Sequence, residues 1–161
     1  MKEKFIKVAI ITVSDTRKLE NDMSGNRLAE LLTAEGAAIV EKLIITDDLG
    51  DLTQTLHSLA QRDDINLIIT TGGTGFAPRD NTPEATRAVI EREAPGLAEA
   101  MRRETALKTP TAMLSRGVCG IRGNTLIINL PGSPKGVEEC FEVIRLVLGH
   151  AIAQIAGDTA H

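Results

Sequence analysis

Apolar runs and segments of helical period alternate along this chain. FIKVAIITVS (Phe5 to Ser14) is rich in Ile and Val with little polar interruption, the pattern of a strand covered on both faces. NDMSGNRLAELLTAEG then predicts a helix with Ser24 at its N-cap, Leu28, Leu31 and Leu32 on one face, and Gly36 as its stop. AIVEKLIIT (Ala38 to Thr46) predicts a second strand. DDLGDLTQTLHSLAQR predicts a helix whose inner face is Leu49, Leu52, Leu56 and Leu59. INLIITT is a third strand, and the glycine-rich segment after it opens into a helix near Thr82, with Pro83 at the first helical position.

LAEAMRRETALK follows Pro95-Gly96 as another helix and ends before Pro110. Two strand-like pieces then flank Arg122-Gly123-Asn124, which predicts a hairpin and an antiparallel edge. The last helix carries Val137, Cys140, Phe141, Ile144, Val147, Leu148, Ile152 and Ile155 at three-and-four spacing. Repeated strand-helix order predicts an α/β fold with a mainly parallel sheet and helices on both faces.

Composition narrows the function. The chain has 161 residues, 18 Lys and Arg against 22 Asp and Glu, and a formal net charge of −4 without basic blocks. That disfavours a nucleic-acid partner, and so do three Phe with no Trp or Tyr, which leave little to stack on unpaired bases. No apolar stretch approaches the ~20 residues that span a bilayer, and the first apolar run reads as a strand, not an export signal. Cys119 and Cys140 form no Cys-x-x-Cys pair, as expected of reduced thiols in a cytoplasmic protein, and Cys140 falls on the core face of its helix. His57, His150 and His161 are expected at surface or boundary positions.

Chemistry concentrates at three predicted strand ends: Ser14-Asp15, Thr46-Asp47-Asp48, and Thr70 to Gly75. Open α/β sheets bind ligands there. Glycines between a strand and a helix let backbone N–H groups face an anion, with the helix N-terminus behind them. The same glycines are equally served by a tight connection, and the pattern matches neither the P-loop nor the dinucleotide fingerprint. Asp80 suits helix capping, or, with Asp47, a Mg²⁺ ion shared with substrate phosphates. Arg79 could offset phosphate charge. NLPGSPKG (Asn129 to Gly136) repeats the arrangement, with Gly132, Ser133 and Lys135 facing an anion or merely capping the last helix. Two such loops suggest one ligand with separated phosphates, or a nucleoside triphosphate beside a second phosphorylated molecule.

TTGGTGFAPRDNTPEAT (Thr70 to Thr86), with ITVSD, LSRGVCGIRG and INLPGSPKG in the same order, resembles the signature of the molybdopterin-binding domain of molybdenum cofactor biosynthesis. The likeness covers nearly the whole chain. It implies one domain over residues 1–161, a three-layer α/β/α sandwich and a homotrimer, with a hexamer as the alternative. It also implies Mg²⁺-dependent transfer of AMP from ATP to the terminal phosphate of molybdopterin, and a transient contact with a molybdate-insertion protein. Carried onto this chain, Asp47 and Asp80 become the metal and catalytic carboxylates, and Gly72, Gly73, Thr74 and Gly75 the nucleotide loop. Ser14, Asp15, Ser115, Pro131, Gly132, Ser133 and Lys135 become the ligand shell. Members that bind the pterin without catalysis provide the competing reading, and the presence of both Asp47 and Asp80 favours the enzyme. A general α/β phosphohydrolase would explain the glycine loop but not its partner motifs.

Overall fold

A computed structural model describes residues 5–158; Met1 to Lys4 and the predicted surface residue His161 lie outside them. The strands are β1 (Lys7–Val13), β2 (Ala38–Ile45), β3 (Leu67–Thr71), β4 (Arg92–Glu93), β5 (Cys119–Arg122) and β6 (Thr125–Leu130). They form one sheet in the order β2-β1-β3-β6-β5-β4. The first four in that order run parallel, and β5 pairs antiparallel with both β6 and β4. The helices are α1 (Met23–Ala34), α2 (Leu49–Ala60), α3 (Thr82–Val89), α4 (Pro95–Ala106), α5 (Pro134–Ile144) and α6 (Leu148–Ile155).

Alternation along each inner strand divides the core into two layers. Val8 and Ile10, Leu67 and Ile69, and Leu126 and Ile128 face α1, α4, α5 and α6. Ala9 and Ile11, Ile68, and Ile127 face α2 and α3. With both faces covered, the inner strands carry almost no polar side chains until their carboxyl ends. The fold is the expected three-layer α/β/α sandwich with an antiparallel border.

Several local expectations change. Asp22, not Ser24, caps α1: its Oδ1 accepts from the Gly25 N–H at 2.9 Å, and its Oδ2 accepts from Thr12 Oγ1 at 2.7 Å and Lys42 Nζ at 3.2 Å. Ser24 lies inside the helix, fully buried. The long final helix is two, because the chain turns at Arg145–Val147, leaving Val147 exposed and its N–H bonded to Ile144 O at 3.0 Å. Leu49 is likewise exposed at the start of α2. Pro95 and Gly96 form the first turn of α4 instead of preceding it. The hairpin turn at Gly123-Asn124 forms as expected, but a two-residue strand, β4, lies outside it as the true edge.

Both thiols are buried, and desolvation pushes Cys119 up to about 12 and Cys140 up to about 11. They are inert core groups at neutral pH. His57 is half-buried on α2, with Nε2 3.1 Å from Arg122 Nη2, and His150 is exposed. Gly25 has no room for a side chain, since a Cβ there would overlap the Asp22 carboxylate and approach Thr12 Oγ1 to 2.6 Å. Gly25→Ala is expected to destabilise the fold by about 2 kcal/mol. The effect would appear as a lower urea midpoint with an unchanged m value.

Candidate functional site: two glycine loops and three carboxylates

The carboxyl ends of β1, β2, β3 and β6 converge, and the two glycine loops meet there. Gly72 and Gly73 have φ of +103° and +70°, in the left-handed region where glycine avoids the Cβ clash. This turns the chain sharply off β3: Gly72 N–H donates to Leu130 O at 3.1 Å, and Thr82 N–H donates to Gly73 O at 3.1 Å. Thr82 Oγ1 closes the turn on Gly72 O at 2.9 Å. The second loop packs directly against the first, and a Cβ on Gly132 would lie 3.3 Å from Gly72 Cα. Thr71 Oγ1 donates to Pro131 O at 2.6 Å, and Ser24 Oγ donates to Gly132 O at 2.6 Å.

A cleft of about 390 Å³ opens beside this junction. Its polar side is formed by Gly73, Thr74, Gly75, Asp80 and the segment Pro131 to Ser133, with Ser115 and Lys135 also on its wall. Ala98, Met101, Arg102 and Thr105 of α4 and Glu139 and Cys140 of α5 also line it. A volume in this range suits a small organic ligand. Ser133 Oγ accepts from Gly136 N–H at 3.0 Å as the cap of α5, and Ser115 Oγ accepts from Gly117 N–H at 3.2 Å. Each hydroxyl keeps its own proton for donation. Lys135 is mostly exposed, its only ion pair among the described residues being at 4.0 Å to Glu139.

Asp15, Asp47 and Asp80 gather beside the loop but differ in their bonding. Arg79 grips Asp15 in a fork, Nε to Oδ2 at 2.7 Å and Nη2 to Oδ1 at 2.9 Å. That hydrogen bonding, with the Asp47 N–H at 3.1 Å, holds the Asp15 carboxyl below its ordinary range. Asp80 Oδ2 accepts from the Ala77 N–H at 3.0 Å, three residues back, so it ties its own loop and does not cap α3. The neighbouring Asp48 is the cap of α2, its Oδ2 accepting from Asp51 N–H at 2.9 Å.

Asp47 is the unusual member. Its backbone is held by Asp15 and by Asn81 Nδ2, which donates to Asp47 O at 2.8 Å. Its Oδ1 is buried and lacks any hydrogen-bond partner. Burial, then the charges of Asp15 and Asp80, raise its pKa above the ordinary value. An unpaired buried carboxylate oxygen is costly and calls for a cation. A Cβ on Gly73 would stand 2.7 Å from this oxygen, and a Cβ on Gly75 2.9 Å from Asp80 Oδ2. Both glycines therefore let a carboxylate oxygen pack directly against backbone that carries no side chain.

Ser14 and Asp15 lie apart from the cleft, in a shallow depression shared with Arg17, Lys18 and Lys42. Gly72 is buried beneath the junction, where a Cβ would meet Val13 O at 2.6 Å. Residues outside the sequence reading also shape the site. Asn129 is buried under it, its Nδ2 donating to Thr70 Oγ1 at 3.1 Å and Thr86 Oγ1 at 3.0 Å. Arg102 steadies the Ser115 wall through Nη1, which donates to Ser115 O at 3.2 Å and Gly117 O at 2.9 Å. An Asn at the end of an apolar strand is the sequence signal for the first; for Arg102 the helical pattern marks only an outward position.

This geometry can be set beside known proteins. Residues 9–150 match the family described as "Probable molybdopterin binding domain". Over 159 residues, 96% of this chain, the sequence is 44% identical to the molybdenum cofactor synthesis protein cinnamon of Drosophila melanogaster, of whose length it spans 26%. It is 36% identical to the molybdopterin adenylyltransferase of Helicobacter pylori over 95% of this chain and 89% of that one. The crystal structure of the molybdopterin biosynthesis enzyme MoaB from Thermus thermophilus superposes with a TM-score of 0.87 at 44% identity, covering 95% of this chain and 98% of that one. The chain belongs to the molybdopterin-binding domain family of molybdenum cofactor biosynthesis.

Proposed function

We propose that this protein is a molybdopterin adenylyltransferase that moves AMP from ATP to the terminal phosphate of molybdopterin and releases pyrophosphate. The observation that carries the reading is the unpaired, buried Asp47 Oδ1 beside Asp80, packed against Gly73 of the glycine loop. The donor set fits Mg²⁺, which takes one or two carboxylates and completes its shell with substrate phosphates and water. Asp47 and Asp80 would hold the ion, and bound there it would supply charge neutralisation at the α-phosphate.

In the reaction an oxygen of the pterin phosphate forms a bond to the α-phosphorus of ATP while the bond from that phosphorus to the β-phosphate bridging oxygen breaks. Both reactants are anions, so positioning and positive potential matter more than a strong nucleophile. The loop N–H groups of Thr74 and Gly75 and the N-termini of α3 and α5 supply that potential. The Ser115 and Ser133 hydroxyls donate hydrogen bonds, and Arg102 and Lys135 bring positive charge to the cleft wall. Arg79 limits the negative charge by keeping Asp15 paired. The reading includes a homotrimer and handover of the product to a molybdate-insertion protein.

The test is an anaerobic incubation with molybdopterin, ATP and Mg²⁺, separating adenylylated pterin and pyrophosphate by chromatography. Wild type is expected to form both, and Asp80→Asn neither, while the variant retains its fold and its pterin binding. An Asn side-chain oxygen can still accept from Ala77, so the loop need not collapse. Pterin binding without product from wild type would make the protein a noncatalytic binder. ATP hydrolysis indifferent to pterin would instead place it among phosphohydrolases.

A further inference from the structure

Arg116 follows the cleft residue Ser115, is not itself one of the residues lining the cleft, and bonds to the glycine loop. Its Nε donates to Gly75 O at 2.8 Å and its Nη2 to Asp80 O at 2.7 Å. Its Nη1 donates to Glu84 Oε2 at 2.6 Å, with Nη2 also 3.4 Å from Oε1. Its backbone N–H donates to Thr74 O at 2.8 Å. One residue thus grips both flanks of Phe76 to Arg79 and the first turn of α3.

The gripped segment has little else to hold it. Phe76, Ala77, Pro78 and Arg79 are all exposed. Its internal ties are Ala77 N–H to Asp80 Oδ2 at 3.0 Å and Asp80 N–H to Ala77 O at 2.9 Å. The Arg79–Asp15 fork ties only the last residue of the segment, at a solvent-facing position, to the loop after β1. Arg116 is only one-third exposed, and its planar fork presents donors in fixed directions that a lysine lacks.

We propose that Arg116 is the positioning residue of this site: by holding the Gly75 and Asp80 carbonyls with one guanidinium, it sets where the Asp80 carboxylate and the loop N–H groups stand against the ligand's phosphates. Through its chain neighbour Ser115 it also joins that loop to the cleft wall. Its kinetic consequence rests on the adenylyl-transfer reading; its effect on loop order does not.

The experiment compares wild type, Arg116→Lys and Glu84→Gln by steady-state kinetics and by amide hydrogen exchange of the ligand-free proteins. A lysine can reach one carbonyl but not span both. Arg116→Lys is expected to lower kcat about 100-fold, the scale of a small misplacement at a reacting centre, with KM for ATP nearly unchanged. Exchange within residues 75–81 should quicken at least about tenfold while β3 and α5 keep their protection. Glu84→Gln retains an acceptor for Arg116 and should shift both readouts the same way, by less. Wild-type kcat in Arg116→Lys, or exchange that quickens across the whole sheet, would overturn the proposal by showing no role or a merely structural one. If wild type forms no product, the adenylyl-transfer reading fails by itself. Loop exchange then decides for Arg116: quickening confined to 75–81 upholds it, and unchanged exchange overturns it.

Discussion

Asp47→Asn is expected to make the metal-free protein more stable while removing adenylyl transfer. The wild-type carboxylate holds a buried oxygen without a partner and faces the charges of Asp15 and Asp80. The Asn atom in that place is still unpaired but carries no charge, so the gain is that of removing the charge alone, on the order of 1 kcal/mol or about 2–4 °C in Tm. The backbone bonds to Asp15 and Asn81 use Asp47 N–H and C=O and survive the substitution. The sign of the pH dependence follows from the raised pKa. The folded state holds the Asp47 proton more tightly than the unfolded chain, so wild type loses stability as pH rises from the unfolded value, 3.8, through the raised folded one. The Asn variant lacks this loss. Its Tm advantage, measured in EDTA, should be absent at low pH, grow across that window and stay constant at neutral pH. Adenylyl transfer should fall at least about 100-fold, because metal-based charge stabilisation contributes several kcal/mol and each 1.4 kcal/mol is tenfold. A variant that is both less stable at neutral pH and fully active would remove Asp47 from the metal site. This opposition of stability and activity marks a group placed for a ligand, not for the fold.

How much of this was legible beforehand depends on the range of the determining contacts. β1 could be read directly because its run is apolar on both faces, and the same holds for β3 and β6. Gly72 and Gly73 announced a turn because positive φ excludes most other residues. β4 was invisible, since two charged residues carry no period; it exists because Glu91 N–H and Ala94 N–H find Ile121 O and Cys119 O. The break between α5 and α6 lacks glycine or proline, and Ile144 and Leu148 keep helical spacing across it. The cap of α1 was misplaced because Asp22 and Ser24 are both good capping types. Thr12 and Lys42, brought in by neighbouring strands, fix Asp22 there and free Ser24 to bond Gly132. The motif residues could be named, but not how adjacent carboxylates divide their work. Asp48 turns to its helix and Asp47 to the loop only in three dimensions. Arg116 bonds to carbonyls some 40 positions earlier, such as that of Gly75, which no local pattern records.

Gly73→Ala is expected to have the other large effect, and a second glycine separates its causes. At φ +70° an alanine pays about 1–2 kcal/mol of backbone strain. Its Cβ would also collide with Thr82 Oγ1, approach Asp47 Oδ1 to 2.7 Å and press on Val13 Cγ1 at 3.2 Å. Thr82 Oγ1 cannot retreat freely, because it holds Gly72 O and with it the turn off β3. Overpacking there adds about 1–3 kcal/mol, for a total loss near 3 kcal/mol in urea denaturation. Gly36 has φ +90° but no heavy atom within 4 Å of its would-be Cβ. Gly36→Ala therefore carries the strain alone and should lose about 1 kcal/mol, with ATP binding in Mg²⁺ unaffected. The methyl at Gly73 would press on Asp47 Oδ1, the buried side-chain oxygen that lacks a partner among the described residues, so Mg²⁺-dependent ATP binding should fall with it, even where the variant is still folded. Calorimetric titration of both variants well below their melting temperatures distinguishes the cases. Wild-type affinity in Gly73→Ala would make this glycine a turn element only and move the ligand away from Asp47. Weakened binding confined to Gly73→Ala would tie the close contact with Asp47, and not the left-handed backbone, to the ligand.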